Sequence, residues 1–131
     1  MTETPAAAVL LYVEDEYFTR DSVEHALREA GFQVIATTGG REALDILELG
    51  PETLLGVITD VDLGDGPDGW EVARRARELL PGIPIIYATG DNDHEWTSKG
   101  VPQSVLIAKP FAPAQIVVAI AAALNAAGRA D

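Results

Sequence analysis

The chain has 131 residues, no cysteine and a formal net charge of −12 at pH 7, a size that suits one ordinary domain with a buried core. The excess of acidic residues disfavours nucleic acid and anionic membranes as ligands, because its long-range field repels them. The absence of cysteine excludes disulfides, thiolate nucleophiles and thiolate metal sites.

Residues 1–8 are polar and rich in alanine, and their apolar residues follow neither the helical nor the strand period. We expect them to form a disordered leader before a single domain over residues 9–128, with no output domain. No apolar run approaches the roughly 18 residues of a membrane span, and the leader lacks the basic region of a secretory signal. We therefore expect a cytoplasmic protein without a membrane partner.

Five short apolar runs are typical of buried β-strands, because strands covered on both faces are apolar throughout. Glycine, proline or charged residues bound each run and interrupt the strand. The predicted strands are Val9–Val13, Phe32–Thr37, Thr53–Thr59, Ile83–Ala88 and Ser104–Ala108.

Helical segments with apolar residues at helical spacing separate these runs. The fourth segment is the least regular, since Trp96 is its only large apolar residue, and we expect a short or frayed helix in a mobile stretch. The predicted helices are Tyr17–Ala30, Arg41–Leu49, Trp70–Leu80, Asp91–Gly100 and Ala114–Ala127.

The alternation of strands and helices predicts an α/β fold, in which right-handed crossovers build a parallel sheet with helices on both faces. Five strands and five helices suit the doubly wound, flavodoxin-like sheet with strand order 2-1-3-4-5. In that order the first and third strands are neighbours, and ligands bind at the carboxyl ends of the strands.

Polar residues follow four of the predicted strands, where each strand ends. Glu14 and Asp15 follow the first, Asp60 the third, Thr89 the fourth and Lys109 the fifth. The predicted strand order brings the acidic residues together at one edge of the sheet. Carboxylates without histidine or cysteine favour a hard divalent cation, and a shallow site with few protein ligands suits Mg²⁺.

These residues together resemble the receiver domain of two-component response regulators, over nearly the whole chain, from Val9 to Ala127. Receivers carry an acidic pair after the first strand, here Glu14–Asp15, and a phosphoacceptor aspartate after the third, here Asp60. They also carry threonine or serine after the fourth strand and Lys-Pro after the fifth, here Thr89 and Lys109–Pro110.

The resemblance implies that Asp60 takes a phosphoryl group from a phosphohistidine on a histidine kinase or a phosphotransfer protein. Asp15, Asp60 and the backbone carbonyl of Asp62 would hold Mg²⁺, with Glu14 as an outer acidic residue acting through water. Such a domain catalyses only its own phosphorylation and dephosphorylation, so we do not expect an enzyme.

The same resemblance implies a switch. Lys109 would neutralise phosphoryl oxygens, and the hydroxyl of Thr89 would move toward them, which signals to an unknown downstream protein. A cis peptide bond is expected at Lys109–Pro110, since the cis form has a low free-energy cost only at X-Pro bonds.

Two departures from the family pattern concern this switch and the acidic loop. Leu106 stands where receivers often carry a switch aromatic, and Tyr87–Gly90 instead resembles the Phe-Ala-Thr-Gly variant of some stand-alone receivers. Gly64 replaces the usual proline in a loop that is one residue longer before Gly69.

The last predicted helix contains no charged residue between Pro113 and Gly128. A surface helix normally has a polar face, so we interpret its apolar residues either as a protein interface, such as a homodimer contact, or as an alanine-rich helix with a weakly polar face. The candidate interface residues are Ile116, Val117, Ile120 and Leu124, with Val118 beside them.

Two alternative functions remain open. A phosphorylation-independent interaction module with this fold is disfavoured by the complete acidic pocket. A Mg²⁺-dependent phosphohydrolase with an aspartyl-phosphate intermediate is disfavoured by the absence of room for a cap domain.

Overall fold

A computed structural model describes residues 8–50, 53–90 and 93–128. The predicted leader, apart from residue 8, lies outside these described residues. Within them, the strands form one parallel sheet in the order β2-β1-β3-β4-β5, which confirms the predicted topology. The strands are β1 (Val9–Val13), β2 (Gln33–Thr37), β3 (Leu54–Asp60), β4 (Ile85–Thr89) and β5 (Val105–Ala108).

The helices of the described ranges lie close to their predicted positions. They are α1 (Tyr17–Glu29), α2 (Gly40–Glu48), α3 (Gly69–Leu79), α4 (Trp96–Lys99) and α5 (Pro113–Ala126), with a 3₁₀ turn at Asp93–Glu95. The prediction of a short fourth helix is confirmed, and its predicted mobility stays a prediction. No helix among the described residues is long and apolar enough to cross a bilayer.

The sheet has a buried core on each face, because successive side chains along a strand point to opposite sides. On one face Leu11 and Val13 of β1 pack with residues of α2 and α3. On the other face Leu10 and Tyr12 pack with residues of α1 and α5. Burial on both faces explains why the strands are continuous apolar runs.

Helix α5 corrects the prediction of an apolar interface. Ile116, Ile120 and Leu124 are buried in the second core, so they are not available as an exposed interface. Their spacing of four residues places them on the side of α5 that faces the sheet. Val117 is partly buried, whereas Val118 is 67% exposed.

Small residues occupy much of the remaining surface of α5. Ala114, Ala121 and Ala122 are exposed, as is Gln115. The helix therefore lacks charge because its outward positions are mostly alanine, while its large apolar residues belong to the core. The second interpretation of the sequence, a weakly polar face, describes this helix.

Candidate functional site

The carboxyl ends of the strands form one edge of the sheet, and the register aligns the polar residues there. Val13 of β1 pairs with Thr59 of β3, so Glu14 and Asp60 follow at the same level. Asp60 in turn pairs with Ala88 of β4, the residue before Thr89. Parallel strands thus place residues that are distant in sequence beside one another.

Three carboxylates meet at this edge. One oxygen from each of Glu14, Asp15 and Asp60 lies within 4.8 Å of the other two. Glu14 and Asp60 are buried, whereas Asp15 is exposed. An all-oxygen group of this kind can hold a hard divalent cation such as Mg²⁺, with water completing the coordination.

Lys109 brings the opposite charge to the carboxylates. Its Nζ donates a hydrogen bond to Oδ2 of Asp60 at 2.8 Å and lies 3.6 Å from Oε1 of Glu14. The other oxygen of Asp60, Oδ1, accepts a hydrogen bond from the backbone N–H of Asp62 at 3.3 Å. Both oxygens of Asp60 are therefore held by donors from other positions in the chain.

Burial and mutual repulsion disfavour the ionised forms of the buried carboxylates in this site. Burial, reinforced by the neighbouring Asp60, raises the pKa of Glu14 to about 7. Burial also raises the pKa of Asp60, although its hydrogen bond to Lys109 opposes the change. For Lys109, burial alone would lower the pKa, but the hydrogen bond to Asp60 and the attraction of Asp60 and Glu14 raise it. A cation at this edge would relieve the repulsion between the carboxylates.

Helix α1 holds Glu14 in place, a role that the sequence analysis missed. Nη1 of Arg20 donates to the backbone carbonyl of Glu14 at 2.9 Å, and Oε2 of Glu14 accepts from the N–H of Glu16 at 3.1 Å. The side chain of Glu16 caps α1 by accepting from the N–H groups of Phe18 and Thr19. A glutamate at that cap was not predicted, because the usual N-cap residues are shorter.

Strands β4 and β5 position Thr89 and Lys109 together. The backbone N–H of Lys109 donates to the carbonyl of Thr89 at 2.8 Å, and Thr89 is buried. The Lys109–Pro110 peptide bond is cis, as predicted. All five polar residues at the strand ends therefore lie at one edge of the sheet.

The sequence analysis also missed Tyr12, a buried residue close to the charges of Glu14 and Asp60. It is buried, and its hydroxyl makes no hydrogen bond with the described residues. Burial raises the pKa of Tyr12, and the charges of Glu14 and Asp60 raise it further. The strand period could have indicated this position, since Tyr12 and Glu14 are two residues apart and share a face.

The family comparison agrees with this geometry. A model of the response regulator receiver domain matches residues 10–121. The chain belongs to the receiver domain family of response regulators. Receiver domains are modules of two-component systems rather than conventional enzymes, they bind Mg²⁺, and they interact with histidine kinases.

Solved receiver structures are similar over most of the chain. A response regulator receiver protein from Sinorhizobium medicae is 40% identical, with a TM-score of 0.89 over 95% of this chain and 99% of that one. The chemotaxis protein CheY4 of Vibrio cholerae is 28% identical, with a TM-score of 0.78 over 91% of this receiver and all of that chain.

The first curated relatives are longer than this receiver. The transcriptional regulatory protein CusR of Escherichia coli is 32% identical over 113 residues, which are 85% of this chain and 48% of that protein. The chain spans about half the length of the first curated relatives that it matches.

Proposed function

We propose that this receiver accepts a phosphoryl group on Asp60 from a phosphohistidine of a histidine kinase or a phosphotransfer protein. The observation that carries the proposal is the contact of 2.8 Å between Nζ of Lys109 and Oδ2 of Asp60, within the group of three carboxylates. Glu14 and Asp60 are buried beside this lysine, and carboxylates without a function seldom leave water in this way, because burial of a charge is costly.

Phosphoryl transfer depends on alignment and on neutralisation of charge. An oxygen of Asp60 forms a bond to phosphorus while the bond from phosphorus to the imidazole nitrogen breaks, and the imidazole leaves with the electron pair. Lys109 is within reach of Asp60 and stabilises the negative charge of the phosphoryl oxygens. When bound, Mg²⁺ neutralises further oxygen charge.

The residues present fit that cation. Asp15 and Asp60 would contribute carboxylate oxygens. We assign the backbone carbonyl of Asp62 as a third ligand, and Glu14 would interact with the cation through water. Burial, reinforced by the charge of Asp60, raises the pKa of Glu14, and a cation bound here would counter the repulsion between the carboxylates.

The phosphorylated state is read at Thr89, whose hydroxyl donates to a phosphoryl oxygen. Leu106 offers no aromatic ring at the position where many receivers have one, so we infer that signalling follows the Phe-Ala-Thr-Gly variant and passes from Tyr87 and Thr89 toward α4. The output is a contact with a downstream protein in the cytoplasm.

The test is incubation with acetyl phosphate and Mg²⁺, followed by intact mass measurement. Wild type gains one phosphoryl group, and Asp60→Asn gains none. Asp62→Asn is the matched control, because it removes a neighbouring exposed carboxylate and keeps the backbone carbonyl, so it is phosphorylated like wild type. A cognate phosphohistidine donor replaces acetyl phosphate if the small donor reacts slowly.

Phosphorylation of Asp60→Asn to the level of wild type would contradict the assignment. Failure of wild type with both kinds of donor would favour the alternative of a phosphorylation-independent interaction module.

A further inference from the structure

The loop between β3 and α3, residues 61–68, carries groups that lie beside Asp60. The N–H of Asp62 donates to Asp60, and the carbonyl of Asp62 is the proposed third Mg²⁺ ligand. The tip at residues 64–66 is exposed, and both of its glycines have positive φ, 73° at Gly64 and 91° at Gly66. A tip of this composition restricts its own path little, so the anchors on either side decide where Asp62 lies.

The first anchor is at the start of α3. A Cβ atom on Gly69 would lie 2.0 Å from the carbonyl oxygen of Asp60, so only glycine allows this approach. The N–H of Gly69 donates to the carbonyl of Val61 at 2.9 Å. Leu63, which lies between Asp60 and Gly69 in the sequence, is buried in the first core.

The second anchor comes from another helix. Gly40 is the first residue of α2, and a Cβ atom there would lie 2.1 Å from the carbonyl oxygen of Pro67 and 3.0 Å from its Cβ. Gly40 and Pro67 are both buried. The N-terminus of α2 therefore packs directly against the backbone of the loop, with no space for a side chain.

The neighbouring glycine provides a contrast. Gly39 is the N-cap of α2 with φ of −163°, extended backbone that any residue can adopt. A Cβ atom on Gly39 would meet no atom of the described residues within 4 Å. Of these two adjacent glycines, Gly40 is the one that has no space for a Cβ atom against the loop.

We infer that Gly40 is a positioning residue for the Mg²⁺ site: by admitting Pro67 against α2, it fixes the loop so that the carbonyl of Asp62 lies beside Asp60. The inference rests on the proposed function, since it assumes the metal site assigned above. A side chain at position 40 displaces the loop, while Asp60 stays in place because it belongs to β3 and pairs with Ala88 of β4.

Isothermal titration calorimetry with Mg²⁺ on the full chain tests this inference directly. We expect Gly40→Ala to bind Mg²⁺ about tenfold more weakly than wild type, the lower end of the effect of groups that orient metal ligands. Gly39→Ala is the matched control and retains the affinity of wild type. Each variant is measured below its own unfolding temperature.

A stability control separates positioning from general damage. Leu124 is buried in α5, about 16 Å along the helix from Pro113 at 1.5 Å per residue. Leu124→Ala lowers the unfolding temperature and leaves the Mg²⁺ affinity unchanged. If Gly40→Ala does not fold, Pro67→Gly replaces it, because it removes the buried ring from the same contact and weakens Mg²⁺ binding in the same direction.

The outcomes are distinguishable. Weaker binding by Gly40→Ala or Pro67→Gly, with Gly39→Ala and Leu124→Ala unchanged, supports the inference. Wild-type affinity in the folded Gly40→Ala or Pro67→Gly protein overturns it and leaves the metal site intact. Absence of Mg²⁺ binding in wild type overturns both the inference and the proposed metal site.

Discussion

Glu14 and its neighbour Asp15 lie in different environments. Asp15 is exposed, whereas Glu14 is buried next to Asp60 with a pKa of about 7. In an unfolded chain its pKa is near 4.5. The folded protein therefore binds a proton at Glu14 between these two values, and the unfolded chain does not.

This difference makes the stability of the receiver depend on pH. An acid with a raised pKa in the folded state stabilises the fold at low pH, and that stability is lost as pH rises through the folded value. Without divalent cations, we expect the free energy of unfolding to fall by about 2 kcal/mol between about pH 5.5 and pH 8. Urea denaturation at the two pH values measures it.

The control for this prediction is Glu14→Gln, which keeps the shape of the side chain and removes its titration. The fall in stability should then be much smaller. Carboxylates with a lowered pKa, such as Glu48 and Glu95, are ionised in both states over this range and contribute no slope. An equally steep fall in the Gln variant would contradict the account.

At this scale the sequence indicates which residues gather, but not how each is held. The positions of Asp60, Thr89 and Lys109 at strand ends are enough to place them at one edge, because parallel strands run in the same direction. The hydrogen bond from Arg20 to the carbonyl of Glu14 depends on the docking of α1, which no local pattern encodes.

Among the elements, α5 illustrates a limit of composition as a guide. Its lack of charge suggested an exposed apolar interface, but three of the four candidate interface residues belong to the core. A helix with outward alanines has a weak polar face, so its hydrophobic pattern alone does not show which side is buried. The sheet decides that, since its second face needs a cover.

The burial of α5 predicts unequal effects from two substitutions. Ile120→Ala removes buried contacts and should lower the free energy of unfolding by about 2–5 kcal/mol. Val118→Ala, on the exposed side, should change it by less than about 0.5 kcal/mol. Chemical denaturation of both variants provides the comparison, and equal effects would contradict the assigned orientation of α5.

Two hydrogen bonds hold the short helix α4 and the segment that follows it. The hydroxyl of Tyr87 accepts from the N–H of Val101 at 3.1 Å, and Nε1 of Trp96 donates to Oγ of Ser104 at 2.9 Å. Tyr87 is two residues before Thr89 and lies in the first core. A polar contact from β4 thus reaches the segment that follows α4.

Removal of that hydroxyl leaves a buried N–H group without its partner. Tyr87→Phe should lower the free energy of unfolding by about 1–3 kcal/mol. Hydrogen exchange at the Val101 amide should become faster. The matched control is Tyr17→Phe, since Tyr17 is exposed on α1 and its loss of a hydroxyl should have little effect. Unchanged exchange at Val101 in Tyr87→Phe would contradict the role of this hydrogen bond.

The strand and helix order was predictable because both periods are regular along most of the chain. Most boundaries shifted by a residue or two, as for β4, which begins at Ile85 rather than Ile83, whereas α4 begins at Trp96 rather than Asp91. The close approach of Gly40 to Pro67 was not predictable, because it joins the start of α2 to a loop that is distant in the sequence and leaves no periodic signal.

At the scale of the whole molecule, one acidic edge stands out on an acidic protein. The net charge is −12, and yet the buried carboxylates cluster around a single lysine instead of dispersing. Burying carboxylates close together costs free energy unless a positively charged group or a bound ligand compensates their charge. The arrangement is consistent with a fold that keeps one carboxylate ready for a phosphoryl group.

The most direct measurement of that claim locates the phosphoryl group on the chain. Protein phosphorylated by acetyl phosphate and Mg²⁺ is treated with borohydride, which reduces an aspartyl phosphate to homoserine, and peptide mass spectrometry then identifies the changed residue. The account predicts homoserine at position 60, and none at Asp15 or Asp62. Modification at another aspartate, with Asp60 unchanged, would contradict it.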